Sequence, residues 1–263
     1  MADTEFDLDK ARAAIDAAPL PPKPAVRLGA TAPAAPVLAG GAPQALVVGS
    51  DVVSFAAPVS ADYRQAIADG MLLAQFQANA QVPGDGDPIA WLQAYTAALG
   101  TFGWRTRASD GTTHEFKGDG LEVHQAIIQV VTAFLGAAPA AVALVVTTLN
   151  ALGSMNKNSP LITLFNRETQ HATAGRFQVA TVGNEPGGAT IDVMAFSLKA
   201  DSQVTQILFF KLHADCTALR TRRGTLSLDD NTMKSVAPLL KARVAAFRAS
   251  FIGAIPLPPI PAS

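Results

Sequence analysis

The sequence predicts an α+β fold, with paired helices packed beside an antiparallel β meander and Pro-rich extensions at both ends. Three observations carry that reading. From Val123 to Asn156 there is no Asp, Glu, Lys or Arg, and His124 is the only titratable side chain. From Pro160 onward, short apolar runs are separated by Asn, Asp, Gly and Pro, the residues that make turns. Helical patterns cluster ahead of these runs instead of alternating with them, which argues against a doubly wound sheet. Residues 1–44 read as a helix and a Pro/Ala-rich arm. Residues 45–255 read as one body, with a helical half at about 58–155 and a β-rich half at about 160–255. Residues 256–263 form a Pro-rich tail.

Asp7 to Ala18 has the composition of a short helix, capped by Asp7 and stopped by Pro19. Pro19 to Pro43 is too rich in Pro, Ala and Gly for a regular element and reads as an extended arm. Val26, Leu28, Val37 and Leu38 favour docking of that arm, because apolar side chains gain from burial. Ala45 to Ala57 reads as a single strand. Ser60 or Asp62 can cap a helix from about Ala61 to Ala80, which carries Tyr63, Ile67, Met71 and Ala74 on one face. After the break at VPGDGDP, Asp87-Pro88 opens a helix that runs through Leu99, with Gly100 as its stop. Asp110-Gly111 is a strong hairpin signal between FGWRTRAS and TTHEFKG.

The charge-free stretch divides into VHQAIIQVVTAFLG and PAAVALVVTTLNALG, meeting at Gly136-Ala137-Ala138-Pro139. Gly suits the left-handed residue after a helix and Pro the first turn of the next, so a helical hairpin is expected. Each arm of roughly 13 residues is about 20 Å long, short of the roughly 30 Å hydrocarbon core of a bilayer. Gln125, Gln129 and Thr132 form a polar stripe on the first arm, while Val142, Val145, Val146 and Leu149 form an apolar stripe on the second.

Five strands are then expected, over Pro160 to Phe165, Arg176 to Val182, Ala189 to Lys199, Val204 to His213 and Thr217 to Leu228. Turns fall at Asn184 to Gly188, Ala200 to Ser202 and Arg223-Gly224. A last helix starts at Asp229 or Asp230 and buries Val236, Leu239, Leu240, Val244 and Phe247.

Composition narrows the function classes. With 49% hydrophobic and 16% charged residues, the chain has ample material for a core. Twenty Lys+Arg against twenty-one Asp+Glu leave no bulk field for nucleic acid. The single Cys216 excludes an intrachain disulfide and a cysteine-only zinc ribbon. The acidic start lacks the pattern of a secretory signal, so synthesis in the cytoplasm is expected, with signal-independent export and final compartment left open. No phosphate-binding loop, dinucleotide turn, nucleophile elbow, zinc-protease helix or calcium loop is present.

The remaining candidates are sparse. His213-Ala-Asp-Cys216 gathers imidazole, carboxylate and thiol at a strand end, with His171 and His114 as distant complements, but nothing in the spacing demands a metal. Packing at the strand end is the simpler reading. Asp85 and Asp87 belong to a surface turn. Asn166, Arg167, Glu168 and Gln170 read as turn residues beyond a strand. Trp91, Tyr95, Phe102 and Trp104 read as a core joining helix to hairpin, and Arg220, Arg222 and Arg223 as a solvated hairpin end. No catalytic, cofactor-binding or metal-binding residue is assigned, and no cofactor is expected.

The leading functional expectation is a non-enzymatic interaction protein, a subunit of an assembly or a membrane-active factor, using charge-poor helices and apolar arms as contact surfaces. Its partners would be another protein or a second copy, then a membrane, and not nucleic acid. Two alternatives stand beside it: a pore-forming, toxin-like protein that inserts after oligomerisation, and a hydrolase without a linear motif that uses His213 and Asp215.

Overall fold

Short polar residues set the helix starts in the computed structural model, which describes residues 6–23, 35–84, 86–116, 120–136, 138–171, 174–201, 203–204, 206–213 and 217–259. The Asp7 side chain accepts from Lys10 N at 3.0 Å and caps α1 (Leu8–Ala17). Strands β1 (Gln44–Val48) and β2 (Asp51–Phe55) follow. Ser60 caps α2 (Ala61–Gln81), and Asp87 caps α3 (Pro88–Thr101), which Pro88 opens. Strand β3 (Arg105–Phe116) leads to α4 (Val123–Leu135), where Glu122 and Gln125 form a capping box, and then to α5 (Pro139–Gly153). Next come α6 (Pro160–Thr169), β4 (Gln170–His171), β5 (Ala174–Glu185), β6 (Gly188–Ala200) and β7 (Thr217–Asp229). Asp229 caps α7 (Asp230–Val244), and α8 (Arg248–Phe251) and β8 (Ile252–Ile255) follow it.

The α+β class is as expected, and the sheet is antiparallel apart from one pair. Its strand order is β3-β7-β6-β5-β2-β1-β8, with β4 added alongside β5, and β2 runs parallel to β5. Helices cover both faces. One face packs Leu46, Val53, Phe55, Ala180, Ile191 and Leu228 against α2, α3 and α7, with Ile15 of α1 in the same core. The other packs Val47, Val52, Val179, Met194, Phe196 and Leu219 against α4, α5 and α6. Each fully buried aliphatic or aromatic side chain contributes about 1.5–3 kcal/mol, so each face forms a substantial core. Helix α2 lies between the sheet and α3 and α7 and is buried nearly all round from Tyr63 to Ala78.

Several expected elements differ. Ala45 to Ala57 is not one strand: Gly49, at φ +55°, and Ser50 turn it into the β1–β2 hairpin. Helix α3 runs one residue past Gly100, and the left-handed residue after it is Gly103, at φ +107°. The Asp110-Gly111 hairpin does not form. β3 continues through it and pairs with β7, a register shift between Asp110 and His114 absorbing the intervening residues. Pro160 to Phe165 opens a helix, with Ser159 Oγ accepting from Ile162 N at 3.3 Å and Ile162, Phe165, Asn166 and Thr169 buried at helical spacing.

Val204 to His213 holds a 3-10 turn at Ile207–Phe209 in place of a strand. Arg223-Gly224 is internal to β7, so the three arginines are strand residues and not a hairpin end. Gly136 ends α4 in right-handed conformation, at φ −50°. Helix α7 ends at Val244, so Phe247 of the expected stripe lies beyond it and is still buried. Of the arm, residues 24–34 lie outside the described residues. Its far end is held by Arg64 of α2, which donates to Ala39 O and Ala42 O at 2.5 and 2.8 Å. Leu38 packs on the core, whereas Val37 is 84% exposed. The tail is described only to residue 259, with Leu257 against the core of the α4–α5 side.

Candidate functional site

Two places in this fold combine polar chemistry with defined shape. The first is a buried network under α2 and α3. Gln75 Oε1 accepts from Ser50 N at 2.9 Å and from Ser50 Oγ at 3.0 Å, and Gln75 Nε2 donates to Val48 O at 2.8 Å. Tyr95 Oη donates to Asp51 Oδ2 at 3.0 Å. Burial pushes the Asp51 carboxyl up to about 8, outweighing the side chains of Tyr95, Gln75 and Ser50, which pull the other way. Tyr95, held up by its own burial and by Asp51, stacks on Trp91 with ring centroids 5.3 Å apart. Trp91 Nε1 donates to Asn79 Oδ1 at 2.7 Å, and Arg176 Nη2 donates to the same oxygen at 3.0 Å.

Ser50, Asp51, Gln75 and Tyr95 are each at most 4% exposed, so no substrate reaches them. The network ties helices to sheet. Its sequence signals are an Asp inside the apolar run 45–57 and a Gln four residues after Met71 on a buried stripe.

The second place is the outer side of the helical hairpin, α4 and α5. Inward, Val123, Ile127, Val131, Val145, Leu149 and Leu152 join the core of their sheet face. Outward, Gln125, Gln129, Thr132, Ala133, Ala140, Ala143 and Asn150 are exposed, so this surface carries no ionisable group. Its polar ties are few. Ser54 Oγ donates to Thr148 Oγ1 at 3.0 Å, and His124 Nδ1 lies 3.0 Å from Leu208 O and 3.3 Å from Glu122 Oε2. Arg223 stacks over Phe134 at 4.9 Å. Among the described residues, no helix is long and apolar enough to cross a membrane.

The other candidates are dispersed. Asn166, Arg167 and Glu168 occupy the end of α6 and not a turn after a strand. Asn166 Oδ1 accepts from Ile207 N at 3.3 Å, and Arg167 pairs with Glu168 at 2.5 Å and donates to Ser250 O. Gln170 and His171 form β4, and the backbone of His114 lies on β3. His213 is exposed, and its companions Asp215 and Cys216 lie outside the described residues, as does Asp85. Trp91, Tyr95, Phe102 and Trp104 are all buried in one core. Among the described residues, no three His, Cys, Asp or Glu side chains are grouped to hold a metal ion.

No protein-family model matches the chain. No curated protein matches it either. Among solved structures it is similar to a delta-endotoxin, with a TM-score of 0.37 and 15% identity over 80% of this chain and 89% of that one. It is also similar to the activated Cyt2Ba monomer from Bacillus thuringiensis subsp. israelensis, with a TM-score of 0.39 and 18% identity over 68% of this chain and 97% of that one. Overlap of this extent assigns neither a family nor an activity.

Proposed function

We propose that the chain is a non-enzymatic contact protein that works through its α4–α5 layer, at a lipid surface or against a second copy of itself. The observation that carries this reading is the outer side of that layer, which has no ionisable group and covers a core whose polar ties to the sheet are few. A charge-free surface loses little on desolvation, so it suits contact with lipid or protein. Arms of 13 and 15 residues are about 20 Å long, which favours lying along an interface over spanning it. The finer reading is a soluble form whose hairpin lifts from the sheet after oligomerisation, exposing Ile127, Val131, Val145 and Leu149.

Co-flotation with liposomes, with mass by light scattering in the same buffer, tests this. The full chain is expected to float or to exceed the mass of one chain, and Ala143→Lys to reduce that behaviour at least about tenfold, since burying an unpaired charge is costly. A chain that stays monomeric and never floats defeats the reading. A disulfide between Ser54→Cys and Thr148→Cys, with Cys216→Ser, decides the finer one. Loss of association on oxidation means that the layer lifts, and full retention means that it binds as it stands.

A further inference from the structure

On the α2–α3 face, one end of the sheet is left open where α3 begins. A groove of about 440 Å³ lies there, between Gly84, residues 86–92 and the adjoining parts of β5, β6 and β7. Strand register dictates its floor. Arg176, Ser197 and Arg220 are cross-strand partners in one row, and Gln178, Ala195 and Arg222 form the next. Lys199 stands one row beyond, on the same face of β6. Alternation from Ala180 and Val182, Ile191 and Val193, and Leu226 and Leu228, all in the α2–α3 core, puts both rows on that face. Four cations therefore converge on one concavity in a chain whose formal net charge is −1.

The groove is built, not merely basic. Arg176 is only 5% exposed; its Nη1 donates to Pro83 O at 3.2 Å, its Nη2 to Asn79 Oδ1 and Val82 O, and its guanidinium lies 4.9 Å from the centre of the Trp91 ring. Its position is thus fixed before any ligand arrives. Lys199 and Arg220 are exposed at the rim, and among the described residues neither is paired with a carboxylate. Asp87, the carboxylate among the described lining residues, is engaged as the cap of α3, accepting from Ile89 N at 3.1 Å and Ala90 N at 3.3 Å. In the row of Ala195 and Arg222, Gln178 is fully buried with both polar atoms of its side chain unpartnered. Ile89, Leu92 and Ala195 supply an apolar wall.

We infer that this groove binds a phosphate monoester. Strands about 4.8 Å apart place Arg176 and Arg220 on either side of Ser197, so a tetrahedral dianion with several acceptor oxygens answers both guanidinium groups, with the Ser197 hydroxyl as a further donor. Lys199 adds a point charge at the mouth, and an apolar substituent lies against Ile89 and Leu92. A carboxylate, planar and singly charged, brings fewer acceptor oxygens and less charge to the same row. A soluble ester and the headgroup of an anionic lipid share this chemistry. The groove is on the opposite side of the sheet from α4 and α5, so it stands or falls separately from the contact role given to them.

The test titrates inorganic phosphate and hexyl phosphate into the full chain by calorimetry, and floats the chain with phosphatidylcholine vesicles with and without phosphatidic acid. The Lys199→Gln/Arg220→Gln double variant changes exposed residues only, and Lys234→Gln on α7 is the charge control. Hexyl phosphate is expected to bind more tightly than inorganic phosphate, and the double variant to lose at least about tenfold in affinity while Lys234→Gln matches the parent. Binding of the ester without competition from phosphatidic acid vesicles assigns a soluble ligand, and competition that the double variant abolishes assigns a headgroup. Equal binding by parent and double variant overturns the inference. So does absence of binding to phosphate, ester and anionic vesicles alike. Vesicle binding lost on Ala143→Lys but kept by the double variant belongs to the hairpin and counts against the groove.

Discussion

The layer of α1, α2, α3 and α7 is fastened by buried polar side chains, whereas the layer of α4, α5 and α6 rests on the sheet mainly through apolar contact. On the first side, Arg64 is fully buried and donates to the carbonyls of Ala39, Ala42, Ala56, Ala57 and Val59. Gln75 holds the β1–β2 turn, Tyr95 holds Asp51, and Asp69 of α2 meets Arg248 Nε at 3.1 Å. On the second side, the Ser54–Thr148 hydroxyl pair joins strand to helix. Separating the first layer strands buried polar groups, each costing about 1–3 kcal/mol. Separating the second chiefly costs apolar area, which is recovered against any other apolar surface. The same sheet thus carries one layer tied by buried polar groups and one held chiefly by apolar contact.

The sharpest way to break this comparison is Arg64→Ala. It strands several carbonyls at once and is expected to cost about 3–5 kcal/mol in urea unfolding, and a loss below about 1 kcal/mol would mean that the polar ties of the first layer are not what hold it.

A smaller effect concerns pH. Folded Asp51 keeps its proton up to about 8, while the unfolded chain gives it up near the ordinary 3.8. Its contribution is therefore complete below about 4 and declines as the pH rises toward 8, by at most about 1.4 kcal/mol per pH unit. Asp69, pushed up to about 6 chiefly by burial, acts in the same sense at lower pH, so the range from about 6.5 to 8 isolates Asp51. Over that range the parent is expected to lose about 2 kcal/mol and Asp51→Asn to stay nearly flat. Parallel profiles would remove Asp51 as the cause.

The smallest effect belongs to the second layer. Thr148→Val keeps the volume and deprives the Ser54 hydroxyl of its acceptor, which is expected to cost about 1 kcal/mol in the same urea measurement. A cost equal to that of Arg64→Ala would make the two layers alike.

The helical hairpin was legible because the absence of charge and the 3.6-residue period are properties of a local stretch. So were the caps at Asp7, Ser60, Asp87 and Asp229, where a side chain bonds to backbone two or three residues away. Misreadings fell where short apolar runs fit two periods. Pro160 to Phe165 suits a strand until Asn166 and Thr169 extend the buried stripe, and Val204 to His213 is apolar on both sides without being long enough to decide. Asp110-Gly111 carries good turn chemistry, but pairing most of β3 with β7 satisfies more backbone groups than a local hairpin would. The buried network and the groove left only faint traces, since Asp51, Gln75, Tyr95, Arg176 and Arg220 each look ordinary among their own neighbours.

The sequence by itself determined the α+β class, most helix starts and the charge-free hairpin, because capping, helical period and charge act over a few residues. Only the tertiary structure decided which strands adjoin, that helices cover both faces, and that Arg176, Lys199 and Arg220 meet in one groove. Those outcomes depend on register between distant strands, and register is fixed by burying two apolar faces at once, a condition that no single segment carries.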